Sequence, residues 1–169
     1  MAGRDLFLSL FFEICDKKQC CGRKGGCSAR SRIWLALIRT LTWLGDPHGI
    51  ALNAENRVAF MAGQGNHKLV VVDLKNIQAG PPLSVGRNPD ILSFDNGTKR
   101  LFVAAESGQV KVFHEANRTL EPEGELHLPH GHTVALDSKT HLVYFPLEDL
   151  DGKPVLRVKE WVGSRRTGD

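Results

Sequence analysis

From Pro47 onward the chain alternates short apolar runs with clusters of Asn, Asp, Gly, Lys and Thr. Nothing in residues 45–169 sustains a 3.6-residue apolar period, so the pattern predicts strands and turns rather than helices. In steps of 42 residues the pattern copies itself: "PHGIALNAENRVAFMAG" from Pro47, "PDILSFDNGTKRLFVAA" from Pro89 and "GHTVALDSKTHLVYFPL" from Gly131. Each copy opens with a short strand (50–52, 91–94, 133–136) and reaches Asn53, Asp95 or Asp137. Those residues open polar turns of the Asx type, which tolerate a left-handed backbone. A second strand follows at 58–62, 101–105 and 142–146, and a third at 69–74, 109–113 and 154–160. "GPPLSVG" (80–86) and "LEPEGELHLP" (120–129) supply outermost strands, whose Pro and Glu suit a less buried position.

Up to four strands per period of about 42 residues, rich in Val, Leu and Phe, is the pattern of a propeller blade. Inner strands such as "VVVDL" and "LFVAA" are apolar on both faces, as a sheet packed between two neighbours requires. The expected fold is all-β: a partial β-propeller of about three four-stranded blades at 47–86, 87–129 and 130–160, followed by a tail at 161–169. The third blade shows only three strands, giving eleven in all. Closed propellers hold about four or more blades, so the chain is expected to be the C-terminal part of a larger propeller, or a short form that assembles with itself. Two large apolar blade faces would otherwise be left open.

The recurring "PD-x-LSFD", "KRLFVA" and "SG-x-V-x-VF", followed by "HTVALDSKTHLVYFPL", resembles the YVTN-type repeat of YncE-like β-propeller proteins over about 47–159. It departs from that family at the eponymous tetrapeptide, where the three copies read "FMAG", "FVAA" and "YFPL". WD40 repeats share the period and the wider superfamily, but Asp73 has no preceding Trp and a Gly-His pair occurs only at Gly131-His132. The resemblance implies a ligand- or protein-binding module with an extracytoplasmic role, periplasmic or secreted.

Residues 1–44 read as an unrelated leader, irregular or partly helical. They carry 8 basic and 3 acidic side chains, and residues 45–169 carry 14 and 16, so the net charge of +3 is the sum of +5 and −2. The repeats are thus slightly acidic, which argues against a nucleic-acid partner. Cys15, Cys20, Cys21 and Cys27 all fall in the leader, at a spacing that matches no paired zinc pattern. The apolar run at 6–12 is too short for a signal peptide, and "EICDKK" after it is no cleavage site. A short amphipathic helix is expected at 32–44, too short to span a bilayer.

Candidate chemistry lies where the innermost strands start, because equivalent positions of successive blades face one channel mouth. The 42-residue register places His48, Asp90 and His132 there. Two imidazoles and a carboxylate suit a divalent metal such as Zn, Mn or Fe, or a polar ligand. They also suit a plain role as solvated strand caps. His127 and His130 precede His132 in "HLPHGH", a turn rather than a cluster, and "GQGNHK" (63–68) lacks the spacing and helix of a phosphate loop. Asn96 and Asn117 head sequons on expected turns. No nucleophile elbow or Cys-His pair is visible. The expected function is a non-enzymatic binding module. The alternative is a metal-dependent hydrolase of lactonase type, with His48, Asp90 and His132 as metal ligands.

Overall fold

The computed structural model describes residues 44–76 and 78–161. Residues 1–43, which include the four cysteines and all but the last residue of the helix expected at 32–44, and most of the tail lie outside these residues. Among the described residues there is no helix, and twelve strands form three antiparallel sheets. The first sheet holds β1 (Pro47–Asn53), β2 (Val58–Gly63), β3 (Lys68–Asp73), β4 (Gln78–Ala79) and β5 (Leu83–Ser84). The second holds β6 (Pro89–Asp95), β7 (Arg100–Ala105), β8 (Gln109–Ala116) and β9 (Thr119–His127). The third holds β10 (Ala135–Asp137), β11 (Leu142–Leu150) and β12 (Lys153–Glu160). Each sheet is an up-and-down meander in chain order, and the chain is a partial β-propeller.

Two boundaries differ from expectation. The outermost strand of the first sheet is broken into β4 and β5, which pair with opposite ends of β3. Gly80, Pro81 and Pro82 fall in the gap, where prolines have no N–H for the ladder. The innermost strand of the third sheet covers only Ala135–Asp137, whereas β1 and β6 each run seven residues. Residues 131–134 stay outside the ladder, where the Gly131 N–H donates to the Leu128 carbonyl at 2.9 Å.

The core lies in two seams between sheets. The face of the first sheet that looks toward the second (its leading face) buries Val58, Phe60, Ala62, Leu69 and Val71. They pack on Leu92, Leu101, Val103 and Phe113 of the second sheet's trailing face. The second seam sets Phe102, Ala104, Val110 and Val112 against Val134, Val143, Phe145 and Leu147. Trp161, just past β12, returns to this seam and meets Phe102 edge-on at 6.2 Å. Each fully buried Phe or Leu contributes about 1.5–3 kcal/mol of transfer free energy.

The outer faces are unequal. On the first sheet's trailing face Ala59, Val70 and Val72 are buried with Leu44, while Ile50 and Leu52 stay exposed. On the third sheet's leading face Leu156 and Val158 are exposed. Only the second of these faces is open in the way the blade count predicts.

The repeat reaches down to single torsions. Asp46, Asn88 and His130 adopt positive φ (47°, 55°, 60°), and so do Arg57, Lys99 and His141 (55°, 56°, 60°). Within each triplet the spacing is one period.

Candidate functional site

The end of the sheets where β1 and β6 begin carries a polar rim. β1 has a register shift between His48 and Ile50, and β6 has one between Pro89 and Ile91. Bulges of this kind turn a side chain out of the pleat. Here they aim His48 and Asp90 at each other across the first seam, with Nδ1 and Oδ1 3.2 Å apart. The bulge at β1 needs glycine: Gly49 has φ of 65°, and a Cβ there would lie 2.2 Å from the Asp90 carbonyl oxygen. The His48 side chain is 47% exposed and that of Asp90 22%. The pair therefore remains accessible.

A second set of polar groups continues the rim. The carbonyls of Asp46, Asn88 and His130 accept from the N–H groups of Gln64, Glu106 and Glu148, the same bond in every sheet. Gln64 Nε2 donates to Glu106 Oε1 at 3.1 Å across the seam, and Asn88 Nδ2 donates to Glu106 Oε2 at 3.0 Å. His67 Nδ1 accepts from the Asn88 N–H at 3.1 Å, which fixes its proton on Nε2 when the ring is neutral. Glu106, Gln64 and Asn88 were not singled out from sequence. The available signal was phase: residues 64, 106 and 148 stand one period apart.

His132 enters differently. Its stretch lies outside the β10 ladder, whereas His48 and Asp90 lie within β1 and β6. Among the described residues no three His, Cys, Asp or Glu side chains are grouped so as to hold a metal ion. A catalytic zinc uses three protein ligands. The His48–Asp90 pair offers two of them. What the rim can do is present a half-exposed imidazole and two carboxylates, each carboxylate partly satisfied, to a polar ligand.

The opposite end is a structural polar network. Glu115, 2% exposed, accepts from Asn53 Nδ2 at 2.9 Å, from Asn56 Nδ2 at 3.0 Å and from the Arg118 N–H at 2.9 Å. At the second seam Asp95 accepts from Thr98 Oγ1, the Gly97 N–H and His141 Nδ1 at 2.7, 2.9 and 2.8 Å. Burial pushes the Asp95 carboxyl up, but these three donors outweigh it and hold it below its ordinary value. Arg100 makes a two-pronged contact with Glu123 at 2.7 and 2.8 Å, and this bond above all lowers the Glu123 carboxyl.

No protein-family model matches the sequence, and no curated protein matches it. Solved structures do. A putative 6-phosphogluconolactonase from Bacteroides fragilis superposes with a TM-score of 0.58 at 13% identity, over 68% of this chain and 34% of that one. The β-propeller domain of Cps50 (Swd1) from Myceliophteria thermophila gives 0.53 at 14% identity, over 68% and 43%. A chain of a nidogen/laminin complex gives 0.51 at 13%, over 69% and 45%. The fold is that of β-propellers. The chain spans less than half the length of each of these structures.

Proposed function

We propose that the chain is a non-enzymatic β-propeller binding module of the YncE-like type, which holds a polar ligand or protein segment at the rim formed by His48, Asp90 and Glu106. The observation that supports this most is the pair of register shifts that turns His48 and Asp90 toward one another while leaving the imidazole half exposed. The repeat phasing of "PDILSFD" and "KRLFVAA" supports the YncE-like assignment, and with it an extracytoplasmic setting. The alternative reading is a lactonase-type hydrolase, in line with the putative 6-phosphogluconolactonase among the similar structures. It needs a third metal ligand beyond His48 and Asp90, and His132 is the candidate the repeat supplies.

The two readings part in one experiment on the full chain. Nuclear magnetic resonance of the labelled protein, titrated with arrayed short peptides and small carboxylates, should give shifts centred on His48, Asp90 and Glu106. His48→Ala combined with Asp90→Ala should erase them. Lactones with added zinc or manganese should hydrolyse at the buffer rate. Lactone turnover that disappears with His48→Ala or His132→Ala would establish the hydrolase instead.

A further inference from the structure

The hydrogen bonds already made at the rim decide what its remaining positions can take. An ionised carboxylate only accepts, so in the 3.2 Å contact with Asp90 Oδ1 it is His48 Nδ1 that carries the proton. In the neutral ring this leaves Nε2 as an acceptor, on a side chain 47% exposed. Asp90 Oδ2 takes no donor among the described residues. Glu106 takes one donor on each oxygen, from Gln64 and Asn88, and each oxygen keeps a further lone pair. Against these acceptors the site's own ring donor is His67 Nε2–H, fixed by the bond to the Asn88 N–H.

The repeat shows where a donor is missing. Gln64 donates to Glu106 across the first seam, and one period later the same two positions are Glu106 and Glu148, both acceptors. Glu148 is exposed, and its carboxylate makes no hydrogen bond among the described residues. Water solvates such a group, but a ligand that replaces the water must donate.

The β11–β12 hairpin stands above this rim. The chain takes seven steps from Ala62 to its partner Leu69 and six from Ala104 to Val110, but ten from Pro146 to Leu156. The excess raises the hairpin by about two residues per strand, roughly 7 Å. It carries Glu148, Asp149 and Asp151 against Lys153, with Leu150 37% exposed among them. Arg87, beside Asn88 in the chain, adds one positive charge at the rim end, which Asp90, Glu106 and Glu148 outnumber. A raised wall of this sign suits an extended chain segment more than a small molecule.

We infer that the ligand of the His48–Asp90–Glu106 rim is a basic peptide segment. Lysine or arginine N–H groups are accepted by His48 Nε2, Asp90 Oδ2 and Glu106, and a further positive side chain lies at Glu148. This rests on the binding role proposed above and names the chemistry of the partner.

The test uses nuclear magnetic resonance of the labelled full chain with three probes: a capped peptide of alternating arginine and alanine, the same peptide with glutamate for arginine, and acetate. The basic peptide should shift the signals of His48, Asp90, Glu106 and Glu148 saturably, and the two anionic probes should bind at least about tenfold more weakly. Glu106→Gln and Glu148→Gln, both at exposed positions, should each weaken the basic peptide by about tenfold. Glu121→Gln, which removes the same charge from the outer strand β9, should leave its affinity unchanged. Equal or tighter binding of an anionic probe at these residues would overturn the inference while leaving the rim a binding site. Weakening by Glu121→Gln as large as by Glu106→Gln would overturn it too, by reducing the effect to general charge attraction. No shift at these residues with any probe would remove the inference and the binding role together.

Discussion

Glu115 is the residue on which the first seam's polar end depends. It is a carboxylate with 2% exposure whose partners are two asparagine amides and one backbone N–H. Removing it leaves buried donors with nothing to accept them, and each such donor costs about 1–3 kcal/mol. Glu115→Ala is therefore expected to lower stability by about 3 kcal/mol, and Glu115→Gln, which keeps one acceptor, by about half as much. The midpoint of urea unfolding, at unchanged slope, measures both. None of this was legible in the sequence. "FHEAN" gives no sign that its Glu is buried, because the partners Asn53 and Asn56 lie about sixty positions earlier and meet it only across the seam. Asn53, Asp95 and Asp137, by contrast, could be read at once as turn formers. The bonds that form those turns are local: they accept from the Asn56, Gly97 and Lys139 N–H groups.

At the scale of elements, the strands and their order followed from periodicity, and the departures have definite causes. β4 and β5 split around a proline pair, and β10 shortened because the chain turns at Leu128–Gly131. The candidate site was only partly visible for a related reason. Phase alone placed His48 and Asp90 at equivalent positions, but a side chain's direction at a strand start depends on the bulge, and a bulge has no fixed sequence. Gly49 is where the bulge becomes testable. An alanine there must adopt φ near 65° and push its Cβ against the Asp90 carbonyl. Gly49→Ala should cost about 2–3 kcal/mol. Its thermal unfolding midpoint should fall, and the His48 ring resonances should move toward those of a solvated imidazole. A variant with the wild-type midpoint would show that the first seam is looser than described.

Over the whole molecule, cohesion between sheets contains a term that responds to acid. The Asp95 carboxyl is held below its ordinary value of 3.8 in the folded chain. A carboxylate depressed on folding contributes stability that is fully present above the unfolded pKa and is lost as pH falls through the folded one. The second seam should therefore weaken from about pH 4 downward. Subtracting the stability–pH curve of Asp95→Asn from that of the wild type isolates this term, since Asp73, Glu55, Glu123 and Asp137 are also lowered and remain in both. The difference should shrink toward zero across that acid range. A difference that stays constant down to pH 2 would place the seam's cohesion in its apolar contacts alone.

Asn88 and His130 share one backbone conformation, and each sits at the entrance to a sheet whose trailing face meets the leading face before it. The chain can therefore be edited in whole modules. Excising residues 89–130 joins Asn88 to Gly131 with the same torsion at the splice, and it sets Phe60 and Ala62 directly against Val143 and Phe145. Repeating that segment instead lengthens the array by one sheet. Length in this architecture is quantised at 42 residues, and insertions of any other size must be absorbed in the turns.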